Sequence, residues 1–233
     1  MLFSRQIPLQ LEPQRADRFD EFVAGPNEAV LQAMRQLLED SDASLFLSGA
    51  QGSGKSHLLN ALCNEAREMG MGAFYIALNK LPEEAASGLE GLRGLDLVCV
   101  DDLHCVVGNS VWENALFRCF NEVRSAHGRL AVSSQLPLSS LRFFLPDLES
   151  RLAWGLRLKL QSSDDEGKLL VLEQRSRVLG IELPQDVQRY LILHSRRDIG
   201  SLLNALERLR QAAFVAKRRI TVPLAREVLA SDK

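Results

Sequence analysis

What this 233-residue sequence lacks narrows its function first. It has four cysteines (Cys63, Cys99, Cys105, Cys119), none in a C-x-x-C spacing, and four histidines (His57, His104, His127, His194) without an H-x-x-x-H pair. Structural zinc therefore has no ligand spacing to rest on, and buried, reduced thiols are the expectation. No run of 18 apolar residues occurs, so no membrane-spanning helix is expected. The opening Met-Leu-Phe-Ser-Arg-Gln-Ile-Pro has neither the basic region nor the apolar stretch of a secretory signal, and a cytoplasmic address is expected by default. Nor is there an excess of either charge: 28 basic against 30 acidic residues leave a net charge of -2, too little for a global pull towards nucleic acid. Fifteen Gly and eight Pro exclude a fibrous or low-complexity chain, and 46% hydrophobic residues exclude general disorder.

What is present alternates between strand and helix signals. Residues 1–13 read as an extended tail, since Pro8 and Pro13 forbid a regular helix and only Phe3, Ile7, Leu9 and Leu11 could anchor it. After the Gly25-Pro26-Asn27 break, apolar residues at 30, 31, 34, 37 and 38 predict a helix. Strands are predicted near 45–47, 73–78, 97–100, 130–132 and 156–160, with helices near 55–68 and 111–125 between them. That order implies an α/β fold with a parallel five-stranded sheet flanked by helices over residues 14–161. From 162 to 233 only helical patterns follow, near 163–180, 184–195, 198–216 and 223–230, predicting a small all-helical lid. Ser163-Asp164-Asp165-Glu166 reads as a capping box that opens it.

Gly49-Ala50-Gln51-Gly52-Ser53-Gly54-Lys55-Ser56 fits G-x-x-x-x-G-K-[ST] at every fixed position, between a predicted strand and a predicted helix. Glycines let the backbone curl until successive N–H groups face phosphate oxygens, and the following helix adds its positive end. Gln51, Gly52, Ser53, Gly54, Lys55, Ser56 and the adjoining His57 are therefore the candidate nucleotide-binding residues, with Lys55 aimed at the β- and γ-phosphates and Ser56 at Mg²⁺. The apolar run 97–100 ends in Asp101-Asp102, a second candidate metal ligand followed by a candidate base that orients water. Aspartate is one methylene shorter than glutamate, so slow intrinsic hydrolysis is expected.

Together these elements resemble the AAA+ ATPases, and more narrowly the DnaA-related family with its shorter Hda-type branch. Phe19-Asp20-Glu21-Phe22-Val23-Ala24-Gly25-Pro26-Asn27 is similar to that family's F-x-x-F-V-x-G-x-N segment, which borders the adenine pocket. Leu145 to Gly155 resembles the box that carries the inter-subunit arginine finger, which falls on Arg151; a surface salt bridge to Glu149 or Asp147 is the other reading of that arginine. Arg196-Arg197-Asp198-Ile199 resembles the lid motif in which Arg197 would reach the γ-phosphate. After the fourth strand stands Ser133-Ser134-Gln135, where Gln135 is the candidate for the family's acidic or amide sensor. Gln6-Ile7-Pro8-Leu9-Gln10-Leu11 resembles the peptide that binds the β sliding clamp through Gln6, Ile7, Leu9 and Leu11.

The resemblance implies ADP or ATP with Mg²⁺ as cofactors, and the DnaA initiator and the DNA polymerase III β sliding clamp as partners, with a homodimer possible. It implies negative regulation of replication initiation through Arg151 acting in trans on initiator-bound ATP, with weak intrinsic ATPase at most. The sequence stops at Lys233 without a helix-turn-helix pattern, so no sequence-specific DNA binding is expected. Hda-type phosphate loops are often degenerate, whereas Lys55 is intact, so both nucleotide states stay open. The competing reading is an autonomous AAA+ ATPase that loads a helicase or remodels, contacting single strands through Arg124 and Arg129.

Overall fold

Apolar runs bounded by turn residues become five parallel strands: β1 (Ser44–Gly49), β2 (Ala73–Ala77), β3 (Leu97–Asp101), β4 (Arg129–Ser134) and β5 (Leu156–Leu160). The computed structural model describes residues 17–89, 91–92, 94–195 and 198–230. The clamp-peptide positions Gln6, Ile7, Leu9 and Leu11, and the lid arginine Arg197, lie outside the described residues.

The sheet runs in the order β2-β3-β4-β1-β5. Side chains alternate between its faces, as a period of two requires. Phe46, Val98, Val100, Leu130 and Val132 face one core, while Leu45, Leu47, Leu97, Cys99 and Ala131 face another. The first core is covered by α3 (Ser110–Ser125) and α4 (Pro146–Ala153), through Trp112, Leu116, Phe120 and Leu148. The second is covered by α1 (Glu28–Glu39) and α2 (Lys55–Glu68), through Leu31, Met34, Leu58 and Leu62. β3 is buried at all its positions, which is why residues 97–100 are continuously apolar rather than alternating, with Asp101 a buried carboxylate at its end.

The remaining helices, α5 (Asp165–Val178), α6 (Gln185–His194), α7 (Ile199–Ala216) and α8 (Val222–Ala230), close a third core around Leu172, Val187, Leu191, Leu202, Leu206 and Leu224. The predicted capping box shifts by one residue. Asp164, not Ser163, caps α5, its carboxylate accepting the Gly167 N–H at 2.8 Å. A charged acceptor gains more from the positive end of the helix than a hydroxyl does. The second strand ends at Ala77, one residue earlier than predicted, because Leu78 turns into a 3₁₀ segment (Leu78–Lys80) and is buried there.

Candidate functional site

Strand order decides which side chains can meet. β1 ends in the glycine-rich loop, β3 ends in Asp101, and β4 lies between them. Val100 pairs with Val132, so the next residues, Asp101 and Ser133, stand level; Leu47 pairs with Ser133 on the other side. Carboxylate, hydroxyl and loop therefore share the C-terminal edge of the sheet, where α/β folds bind ligands.

The loop is held in the curled form its glycines permit. Gly52 (φ 71°) and Gly54 (φ 100°) both adopt left-handed backbone, and Gly54 directly precedes α2. Neither has room for a side chain: a Cβ at Gly54 would lie 2.6 Å from the Phe22 ring, and one at Gly52 would lie 2.2 Å from the Cβ of Asp198. Lys55, only 5% exposed, folds back so that Nζ donates to the carbonyls of Gly49 (2.8 Å) and Ala50 (2.9 Å). Burial lowers its pKa, and the charges of Asp102 and Asp101 oppose that shift. The Ser53 hydroxyl is buried without a hydrogen-bond partner, an orphan that a ligand oxygen would satisfy. Gln51 and Ser56 are exposed on the loop and on the first turn of α2.

Asp101 is 1% exposed and fully engaged. It accepts from the Tyr75 hydroxyl at 2.8 Å, from the Ser133 hydroxyl, and from the Asp102 N–H at 3.1 Å. That N–H also meets Ser133 Oγ at 3.1 Å. Burial and then the Asp101 carboxylate push the Tyr75 phenol far above its ordinary range, so it stays a donor. Asp102 adopts left-handed backbone (φ 59°), which turns its carboxylate away from the strand to accept from Asn79 Nδ2 at 2.5 Å. Burial first, and then Asp101, raise its pKa above the usual carboxylate value. Among the described residues Gln135 gives a backbone N–H to His104 Nδ1 (3.4 Å); within the Ser133-Ser134-Gln135 stretch it is Ser133 that touches the acidic pair.

Beside the loop lies a cavity of about 140 Å³ between the α/β layer and the helical layer. Phe22, Val23, Val171, Leu203, Gln174 and His57 are among its lining residues, so apolar walls carry a few polar groups. The Phe22 and His57 rings lie 6.0 Å apart, inclined by 30°. His57 is tied down by the Arg18 carbonyl at Nε2 (3.0 Å) and by Asp17 at Nδ1 (3.3 Å). Burial opposes its charge, but Asp17 and the Arg18 carbonyl prevail and raise its pKa. Gln174 Nε2 donates to the Asp20 carbonyl at 2.9 Å, joining α5 to the N-terminal segment. Asn27 does not line this cavity. It is 1% exposed and exchanges two hydrogen bonds with the Gln161 backbone, 3.0 Å to the carbonyl and 2.8 Å from the N–H.

Arg151 belongs to a different surface. α4 runs back from the C-terminal edge and leads into β5, whose first residue, Leu156, pairs with Leu45 while its last, Leu160, pairs with Gly49. Arg151, in the last turn of α4, therefore lies towards the strands' starting edge, a five-residue strand's rise of roughly 13–17 Å along the sheet from the end that carries its own phosphate loop. Its guanidinium lies over the Trp154 ring, 4.3 Å from the centroid, and forms no salt bridge among the described residues. The predicted alternative pairing with Glu149 or Asp147 does not occur. Arg129 is committed elsewhere, its Nε donating to the Leu37 carbonyl at 2.9 Å. Neither Asn27's clamp nor the Ser133 bridge was foreseen in the sequence. A buried Asn in a Gly-Pro-Asn turn and a Ser-Ser pair ending a strand were the available signals.

Residues 14–159 match the family model of the bacterial DnaA ATPase domain, and residues 165–229 match that of the Hda lid domain. Among solved structures, domain III of the Thermotoga maritima replication initiation protein DnaA is similar at 24% identity and TM-score 0.81, over 93% of this chain and 97% of that one. AMPPCP-bound DnaA from Aquifex aeolicus is similar at 19% identity and TM-score 0.68, over 81% of this chain but 62% of that longer one. The Thermotoga maritima RuvB Holliday junction branch migration motor matches at 18% identity and TM-score 0.68, over 93% and 72%.

Proposed function

Since the chain belongs to the bacterial DnaA ATPase family of AAA+ proteins and carries the Hda-type lid, we propose that it is a negative regulator of replication initiation that works on its larger relative. It binds an adenine nucleotide at its own loop, docks on the β sliding clamp through residues 6–11, and presents Arg151 to ATP held by DnaA. The observation that carries this reading is the position of Arg151: without a carboxylate partner among the described residues, stacked on Trp154, and about a strand's length from its own loop.

The residues around the loop fit an adenine nucleotide. Gly52 and Gly54 give the curl, Ser53 has an unsatisfied hydroxyl, Lys55 Nζ rests on the loop's own carbonyls and would turn to the phosphates, and the adjacent cavity offers the Phe22 and His57 rings as walls. When bound, the nucleotide supplies the negative phosphate chain that neutralises Lys55 and the α2 N-terminus. Ser56 and Asp101 would hold Mg²⁺, the latter through a water, since Tyr75 and Ser133 already occupy its oxygens. Asp102 would orient water, and Arg197 would reach the γ-phosphate from the lid. Because the lid rests on the loop at Gly52, occupancy of this site serves to fix the angle between the two layers.

In trans, the reaction is hydrolysis. A water oxygen forms a bond to the γ-phosphorus, the bond from that phosphorus to the bridging oxygen breaks with its electron pair left on ADP, and the water's proton passes to the phosphate released. A planar, always charged guanidinium stabilises the charge that builds on the oxygens, an effect of about 10³–10⁵ in rate when such a finger is supplied by a second molecule. Of the two arginines on which the loader reading rests, Arg129 is engaged with the Leu37 carbonyl, which weakens that reading.

The test is turnover of DnaA-bound ATP on clamp-loaded DNA with the wild-type chain, with Arg151→Ala, and with residues 1–12 deleted. Stimulation is expected for the wild type alone. Equal rates for wild type and Arg151→Ala overturn the proposal, and full stimulation by the truncated chain removes the clamp from it.

A further inference from the structure

Trp154 follows the last turn of α4, its backbone N–H donating to the Arg151 carbonyl at 3.2 Å. Leu152, two residues earlier, is buried in the core beneath α3, yet Trp154 stays 56% exposed. Two guanidiniums lie over this one ring. Cζ of Arg151 is 4.3 Å from its centroid, and Cζ of Arg124, at the end of α3, is 4.7 Å away. Arg151 also reaches the Phe117 ring at 6.0 Å. Neither arginine has a carboxylate partner among the described residues, although acidic residues outnumber basic ones over the whole chain.

Two like charges gathered without a counter-charge repel, and an exposed arginine on a flexible stem ordinarily escapes into solvent. Here the electron-rich face of the indole attracts both cations and fixes the planes of their forks. The arrangement leaves the donors of both guanidiniums available to an anion with several oxygens. We infer that Trp154 is the positioning residue for Arg151, and that Arg124 is a second cation of the same trans site, directed at the phosphate chain of the nucleotide on the neighbouring molecule. This inference rests on the proposed action of Arg151 in trans. It adds a division of labour: Arg151 meets the charge that develops during the reaction, Trp154 holds it in line, and Arg124 helps capture the triphosphate already present in the ground state.

The test uses the full chain on clamp-loaded DNA, with the maximal rate of DnaA-bound ATP hydrolysis and the half-saturating concentration of this protein measured separately. Trp154→Ala is expected to lower the maximal rate about tenfold with little change in half-saturation, as misplacement of a reacting group does. Trp154→Phe, which keeps an aromatic face and guards against a folding artefact, should recover most of that loss. Arg124→Ala is expected to raise the half-saturating concentration about three- to tenfold while the maximal rate stays within about twofold. A wild-type maximal rate for Trp154→Ala, with Arg151→Ala inactive, overturns the inference and leaves the proposed function standing. An Arg151→Ala variant as active as wild type brings down the reading on which it rests. If Arg124→Ala weakens binding to single-stranded DNA without altering stimulation, that cation serves nucleic acid and its place in the trans site is refuted.

Discussion

Asp198 rests on Gly52. The two residues stand so close that a Cβ on the glycine would meet that of the aspartate at 2.2 Å, and the next residue, Ile199, donates its N–H to the Gly52 carbonyl at 3.4 Å. Asp198 is at the same time the cap of α7, its carboxylate accepting from the Ser201 N–H at 2.8 Å and from the Ser201 hydroxyl at 2.7 Å. One residue thus starts a lid helix and seats that helix on the phosphate loop. The lid's position and the loop's shape are coupled through a contact that only a glycine tolerates.

Gly52→Ala should break that coupling twice over, through the clash and through the φ of 71° that alanine adopts only with strain. Hydrogen exchange at the backbone amides of residues 199–203 is expected to rise, with β3 and β4 unchanged. Nucleotide affinity is expected to fall about tenfold or more, since phosphate-facing N–H groups are displaced. Adding Asp198→Gly should restore part of the affinity by relieving the clash. Unaltered exchange in the single variant would show that the lid does not depend on this contact.

The pairing of His57 with Asp17 makes the N-terminal segment sensitive to pH. Asp17 and the Arg18 carbonyl overcome the burial penalty and raise the imidazole's pKa above the ordinary 6.5. A raised pKa means that folding favours the protonated ring, so the stabilisation is complete below the ordinary value and is lost as pH rises through the raised one. The melting temperature of wild type should exceed that of His57→Gln at about pH 6, and the gap should close by about pH 8.5. A gap that widens with pH would reverse the sign assigned to the pair.

The strands and the glycine-rich loop could be read from the sequence because their determinants are local. A buried run such as Leu97-Val98-Cys99-Val100 has few alternatives to a strand, and the loop's glycines and lysine are consecutive. What could not be read are pairs that the sheet order brings together. Ser133 reaches Asp101 only because β4 lies beside β3 in a register that levels the two, and nothing in the Ser133-Ser134-Gln135 stretch distinguishes the first serine from the amide two residues on. Arg124 and Arg151 look like separate surface charges until α3 and α4 are packed on one face. The capping box failed for a smaller reason: two candidate caps, Ser163 and Asp164, are adjacent, and the carboxylate prevailed.

Asn27 carries the most consequential of these long-range contacts. Its side-chain amide gives one hydrogen bond to Gln161 and receives one from it, across 134 residues of sequence, at the point where β5 has ended and the chain sets out for α5. The amide is buried, so both halves of the exchange are needed: a group that keeps the acceptor but loses the donor leaves the Gln161 carbonyl unsatisfied and adds a buried charge. Asn27→Asp should therefore destabilise more than a lost hydrogen bond at the surface would, by about 2–4 kcal/mol. Asn27→Ala, which leaves two backbone groups unpaired but adds no charge, should cost about 1–3 kcal/mol. Both values are measurable by urea unfolding, and the order of the two variants is the sharper check. If Asp is tolerated as well as Ala, water reaches the joint and the clamp is not what holds the connection between β5 and the helical layer in place.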